Sequence, residues 1–393
     1  MKAWKYALSA LGTALLIVGC GGGGGGGEAS TNKSGYTSLV SFGDSLSDAG
    51  SYAVGAVAAQ KGGRYTVNSG DLAAPTKIWL DFVAAQLGLP APCAAETGLN
   101  SSAALGGPVP VVKNAKCTNY AQGGSRVTAP VGPANTALTP FGQGDLGQLT
   151  VPLATQVTNH LTANGGTFNG KELVTVMAGG NDAFMNGGVL GVLAATGSVA
   201  AAQGFASTIG WAPADIGAIA LTPAGQNAIA TAAVTNMGIA GAQLAGLVKA
   251  NIIGKGATRV LVLNFPDLGS TPYALENPSA VPLVNAMVQA FNTQLSAGLS
   301  GVAGVTVADA FSVSQDQFKN PGAYGLSNVT NRACDRTPTK NPFGGASIIC
   351  TPANVIAGDV SKYQFADDVH PSPYGHKLLA QFATKALAVA GWL

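Results

Sequence analysis

Ser41-Phe42-Gly43-Asp44-Ser45-Leu46-Ser47-Asp48 is the stretch on which the reading of this chain turns. The run Leu39-Val40-Ser41-Phe42 is short, apolar and stopped by Gly43, the pattern of a buried strand that ends in a tight turn. Ser45 then lies just past the carboxyl end of that strand, where open α/β sheets place their ligands. A plain turn whose serine caps a helix is the other reading of the same residues. Three later segments bear on the choice.

In Phe365-Ala366-Asp367-Asp368-Val369-His370-Pro371 an aspartate precedes a histidine by three residues. A serine nucleophile needs a base to take its proton and a carboxylate to orient and charge-stabilise that base. The chain has only three histidines, His160, His370 and His376. His160 falls in an expected helix from Leu149 to Leu161, on a polar side suited to a solvated ring. His376 follows Tyr374-Gly375 at the start of the last expected helix and reads as a packing or capping residue. His370 alone has a carboxylate at short range, on a loop pinned by Pro371 and Pro373. Asp367 is expected to orient it, and Asp368 to be a solvated neighbour.

The tetrahedral intermediate of acyl transfer also needs hydrogen donors aimed at its oxyanion. Glu172-Leu173-Val174-Thr175-Val176-Met177 reads as a strand, and Ala178-Gly179-Gly180-Asn181-Asp182 follows its carboxyl end, so the Asn181 amide is one candidate. The loop Asn119-Tyr120-Ala121-Gln122-Gly123-Gly124-Ser125 offers another, because glycines let a backbone N–H approach a ligand closely. Ordinary turn chemistry accounts for either segment taken singly.

In this order and on these elements, the four segments resemble the GDSL, or SGNH, hydrolase family of esterases and lipases. The resemblance implies that Ser45 is the nucleophile and that its own N–H joins the oxyanion hole. It puts the second donor on Gly124, with Gly123 as the neighbouring alternative, the third on Asn181, and the orienting acid and base on Asp367 and His370. Weaker similarities extend it from about Thr37 to the end: Gly63-Arg64-Tyr65-Thr66, Trp79-Leu80-Asp81-Phe82, Gln156, Val260 to Gly269, and Phe291-Asn292. The family's usual Asn-Gly-Pro before the tryptophan is missing, which bears on that loop and not on the chemistry. The implied reaction is ester hydrolysis through an acyl-enzyme, with acyl transfer to another alcohol as the alternative within the family. A lipid-anchored binding protein that kept the fold without the catalysis is the alternative outside it.

Composition agrees with an exported enzyme. Charged residues are 10% of the 393, and the net charge of +2 includes Lys2 and Lys5 near the amino terminus. No basic patch argues for nucleic acid. No phosphate-binding glycine-lysine loop, His-Glu-x-x-His or cysteine–histidine cluster supports a cofactor or a metal. Gly-x-Ser-x-Gly is absent too, against the nucleophile elbow of the α/β-hydrolase fold.

Lys2 and Lys5 with the apolar run Tyr6 to Val18 read as a signal peptide over residues 1–19. Leu16-Ile17-Val18-Gly19-Cys20 resembles the bacterial lipobox, which implies lipidation of Cys20, on the outer membrane if the host is Gram-negative since Gly21 follows. Plain secretion is the alternative. Residues 20–36 then form a glycine-rich tether, a coil of about 15 residues spanning roughly 20 Å. The four remaining cysteines allow three pairings, of which the sequence-local one, Cys93 with Cys117 and Cys334 with Cys350, closes loops in irregular regions. Each bridge is worth about 3 kcal/mol on loop-entropy grounds.

The rest alternates. Helix-like spacing at Trp79 to Leu87, Leu149 to Leu161, Ala228 to Lys249, Pro282 to Leu299 and Tyr374 to Ala390 separates strands near Leu39, Leu173, Val260 and Val305. One domain over 37–393 is expected, a three-layer α/β/α sandwich with a mainly parallel central sheet, and the resemblance implies the flavodoxin-like fold of SGNH hydrolases. The Ala/Gly-rich stretch 183–226 reads either as a wall or lid over an acyl pocket or as a helical excursion packed on the core.

Overall fold

Four apolar runs become the strands of one sheet: β1 (Ser38–Gly43), β2 (Glu172–Met177), β3 (Val260–Leu263) and β4 (Val305–Ala308), hydrogen-bonded in that order. All three pairings are parallel, with Val40 beside Val174, Val174 beside Val260 and Val260 beside Val305. The computed structural model describes residues 35–393, so the signal-peptide segment, Cys20 and nearly all of the tether lie outside the described residues.

Side chains alternate across a strand, so each apolar run feeds both faces of the sheet. Val40, Phe42, Val174, Val176, Val260 and Val262 enter one core cluster, and Leu39, Leu173, Met177, Leu261 and Leu263 enter another. Eight helices supply most of the cover: α1 (Trp79–Gln86), α2 (Leu153–Ala163), α3 (Gly180–Thr196), α4 (Val199–Thr208), α5 (Pro223–Leu247), α6 (Val281–Leu299), α7 (Ala310–Lys319) and α8 (Pro373–Val389). Buried residues of α2 to α6 pack on the first face and those of α1, α7 and α8 on the second, which makes the three layers.

In a flavodoxin-like sheet a second strand flanks the free edge of the first. Here Thr118 to Gln122 follow that edge without forming a regular strand: the Ser41 N–H donates to the Thr118 carbonyl at 3.0 Å, and the N–H groups of Tyr120 and Gln122 donate to the Ser41 and Gly43 carbonyls at 2.8 and 3.2 Å. The Cys93–Cys117 disulfide, 24 residues apart in sequence, ends just before this segment. Cys334–Cys350 is the other bridge, the sequence-local pairing in both cases.

Local chemistry sets the helix ends. α2 starts at Leu153 and not at Leu149, because Pro152 stands extended at the N-cap and disfavours a helical residue before it. α5 starts at Pro223, capped by the Thr222 hydroxyl, five residues before the expected Ala228, and passes into a π turn at Val248–Ile252. Gly241 of α5 lies against the Phe291 carbonyl of α6, where an added Cβ would come within 2.2 Å.

Residues 183–226 lie within α3, α4, a short helix at Pro213–Gly217 and the start of α5. Phe205, Ile209, Trp211 and Ile219 bury there in the main core, so the stretch is chiefly a packed excursion. His160 corrects its expectation. It is 2% exposed and stacked on Phe168 at 4.5 Å, because the chain after α2 folds back over the ring. Burial brings its pKa down to about 4, partly offset by Glu172.

Candidate active site

β1 delivers its turn to the carboxyl edge of the sheet and there has no room for a side chain. A Cβ on Gly43 would meet the Met177 carbonyl oxygen at 2.4 Å. Gln156 braces the strand end from α2: its Oε1 accepts the Gly43 N–H at 2.9 Å and its Nε2 donates to the Gly43 carbonyl at 2.8 Å. Ser45 follows, 8% exposed, on the turn this bracing fixes.

At the other end of the chain, Ser372 caps α8 by accepting the N–H groups of Tyr374 and Gly375, each at 3.1 Å. His370 sits just ahead of that cap. Its Nε2 lies 2.8 Å from Ser45 Oγ, across 325 residues of sequence. Its Nδ1 lies 2.8 Å from each Asp367 carboxylate oxygen, so the proton belongs on Nδ1 and the Nε2 lone pair faces the serine hydroxyl. Asp367 is fixed in turn by the N–H groups of Ser347 and His370, each at 2.8 Å, and of Val369 at 3.1 Å. Ser347 belongs to the loop that Cys334–Cys350 closes, and the Cys334 N–H donates to the Ala366 carbonyl at 2.8 Å.

The electrostatics follow from this geometry. Burial alone would lower the His370 pKa, but the charge and hydrogen bond of Asp367, with Asp44 and Asp368 behind them, hold it above the ordinary value. Burial would raise the Asp367 carboxyl, but His370 and the hydrogen bonds from His370 and Ser347 hold it well below the usual carboxylate range. Asp44, beside the serine, is pushed up to about 7 by burial, against the Leu46 N–H and the His370 charge.

Gly124 and Asn181 line the same cleft as Ser45 and His370. Asn181 is the second residue of α3, and its Nδ2 donates one hydrogen to the Ser125 carbonyl at 2.8 Å, leaving the other for the cleft. The Gly123 N–H donates to Asp48 Oδ2 at 2.9 Å, whereas those of Ser45 and Gly124 have no acceptor among the described residues. Gly124 has φ +77°, and a Cβ there would meet the Pro133 carbonyl at 2.6 Å. Among the described residues, no group of three or more His, Cys, Asp or Glu side chains is placed to hold a metal.

Some residues of the site escaped the sequence reading. Asp48 ties the serine loop to the glycine loop, accepting from Gly50, Ser51 and Gly123. The Tyr65 ring lies against His370 with centroids 4.8 Å apart, and its hydroxyl fills the space where a Gly123 Cβ would go. His376 is buried under it, its Nε2 3.4 Å from the Tyr65 carbonyl, consistent with a packing role. Asp48 and Tyr65 both stand in quoted segments, but no spacing marks which group each would meet. Asp368, expected to be solvated, has a side chain 40% exposed and also pairs with Arg332, which reaches Glu276 at 2.6 Å. Phe184, Met185, Gly188 and Phe205 wall the cleft, so the 183–226 stretch does contribute to the site from its packed position.

Comparison with known proteins bears on the family of this chain. The family model for GDSL-like lipase/acylhydrolase matches residues 39–383. A GDSL esterase/lipase of Arabidopsis thaliana is 28% identical over 149 residues, 34% of this chain and 40% of its own. Esterase EstA of Pseudomonas aeruginosa is 31% identical over 140 residues, 35% of this chain and 20% of its own. The chain thus matches less than half the length of these curated relatives. The crystal structure of an extracellular lipase from Streptomyces rimosus aligns over 89% of this chain and 99% of that one, with TM-score 0.40 and 14% identity. With a family model running from β1 to α8, this chain belongs to the GDSL-like lipase/acylhydrolase family.

Proposed function

We propose that the protein hydrolyses carboxylic esters through an acyl-enzyme on Ser45. The observation that carries this is the unbroken hydrogen-bonded line from Ser45 Oγ through His370 to Asp367. In this reading Ser45 attacks the ester carbonyl as His370 Nε2 takes its proton. Asp367 holds the ring in the required tautomer and stabilises the imidazolium. The developing oxyanion lies among the N–H groups of Ser45 and Gly124 and the free amide hydrogen of Asn181. His370 then protonates the leaving alcohol, and a water activated by the same nitrogen releases the acid. A binding protein without catalysis would have no use for a serine, an imidazole and a carboxylate held in line beside an open cleft.

Chromogenic esters assayed on wild type, Ser45→Ala and Asn181→Ala test this. Ser45→Ala should lose several orders of magnitude in kcat, and Asn181→Ala about 10² to 10³. Wild-type turnover equal to that of Ser45→Ala would overturn the reading.

We further propose export, for which two disulfides argue, and anchoring by a lipid on Cys20. Cys20→Ser should then move the protein from the membrane to the soluble fraction; an unaltered distribution counts against the anchor.

A further inference from the structure

We propose that the acyl chain of the substrate lies in the slot between α7 and α8, and that Val313 and Phe382 set the chain length it accepts; this rests on the acyl-enzyme reading above. Two cavities meet at Ser45 and His370, and they differ in kind. One is narrow, about 100 Å³, and is walled by Leu46, Phe265, Val313, Leu379 and Phe382. The other is roomier, about 450 Å³, and sets the amides of Gln143 and Gln148 and the carboxylate of Asp368 among apolar walls that include Phe184 and Phe205. Each methylene that leaves water for an apolar wall tightens binding about fourfold, a gain the narrow arm offers over most of its lining. The roomier cleft suits the alcohol half of the ester.

Polar groups along the slot are mostly turned to one another. Ser314 Oγ accepts the Asp267 N–H and donates to the Phe311 carbonyl, and Gln364 Nε2 donates to Gln317 Oε1. Of the side-chain atoms lining the slot, Gln364 Oε1 is the one buried without a partner among the described residues.

The length follows from helix geometry. Gly375, Leu379 and Phe382 form one stripe of α8, and Ala310, Val313 and Gln317 one stripe of α7. α8 begins three residues after His370, so its stripe leads away from the imidazole over about 10 Å, the reach of an extended chain of about eight carbons.

The test is kcat/KM for p-nitrophenyl esters from acetyl to palmitoyl on wild type, Val313→Trp and Phe382→Ala, with folding checked by circular dichroism and thermal midpoint. Wild type should rise toward an optimum near octanoyl. Val313→Trp should lower the octanoyl-to-acetyl ratio at least tenfold, and Phe382→Ala should move the optimum to longer acids. A second readout needs no turnover: octanoate titrated into Ser45→Ala should bind, and adding Val313→Trp should weaken it at least tenfold. Octanoate binding lost with Val313→Trp in a protein that cleaves no ester would sink the hydrolase reading and leave the slot standing. Ester cleavage with a chain-length profile that ignores whichever of the two variants folds would sink the slot and leave the hydrolase.

Discussion

A serine hydroxyl is a weak nucleophile, and what distinguishes Ser45 from the other described serines is the imidazole nitrogen 2.8 Å away. The charge state of that imidazole sets the pH dependence. His370 is raised above the ordinary histidine value, and only its neutral form accepts a proton, so kcat/KM should fall as pH drops through a midpoint above 6.5. Asp367→Asn removes the main raising influence and the tautomer lock; kcat should fall by about 10⁴ and the acid limb should move down. A pH–rate profile of both proteins checks this, and an acid limb that stays in place would count against the pairing. Asp44 works in the opposite sense on stability. Its folded pKa of about 7 exceeds its unfolded value, so the folded state favours the proton, and stability is lost as pH rises from about 4 to 7. Asp44→Asn should therefore gain on wild type over that window, by at most about 4 kcal/mol, in urea unfolding followed against pH. A difference independent of pH would show that Asp44 ionises normally.

Between elements, one buried ion pair ties the chain after the glycine loop to α3, beside the proposed oxyanion donors. Arg126, just after the glycine loop, meets Asp182 of α3 at 3.0 Å, and its Nη1 donates to the Ile209 carbonyl at 2.8 Å, beyond α4. Asp182 also accepts the Val127 N–H at 3.0 Å. Both side chains are below 8% exposed, so Arg126→Met would strand a buried carboxylate, at a cost of about 3 to 5 kcal/mol. Thermal or urea unfolding reads that loss, and a change under 1 kcal/mol would mean that Asp182 sheds its charge when the guanidinium goes. The elements themselves were largely legible. The four strands are apolar runs of four to six residues, and α1, α6 and α8 fall within a residue of their expected starts. His160 was misjudged because helical spacing within α2 cannot reveal that Phe168, from the following loop, closes over it. The hydrogen bonds that Thr118 to Gln122 make along the free edge of β1 were equally hidden, since no spacing in that segment names its partner.

Over the whole molecule, sequence motifs located the residues now gathered at one edge of the sheet, because serine, histidine and aspartate are scarce enough in such contexts to be read by type and spacing. They did not locate the support. Asp48, Tyr65 and Ser347 act through contacts with partners 20 to 305 residues away, which no local pattern encodes. The cavities were also out of reach, since the slot between α7 and α8 exists only once both helices have packed on the same face. The distance along the chain between hydroxyl and imidazole has its own result. A polypeptide made from its amino end carries Ser45 as an inert alcohol until the segment that holds His370 has been synthesised and has docked. On the proposed hydrolase reading, copies that stop short of His370 would be harmless to the esters of the cell that makes them.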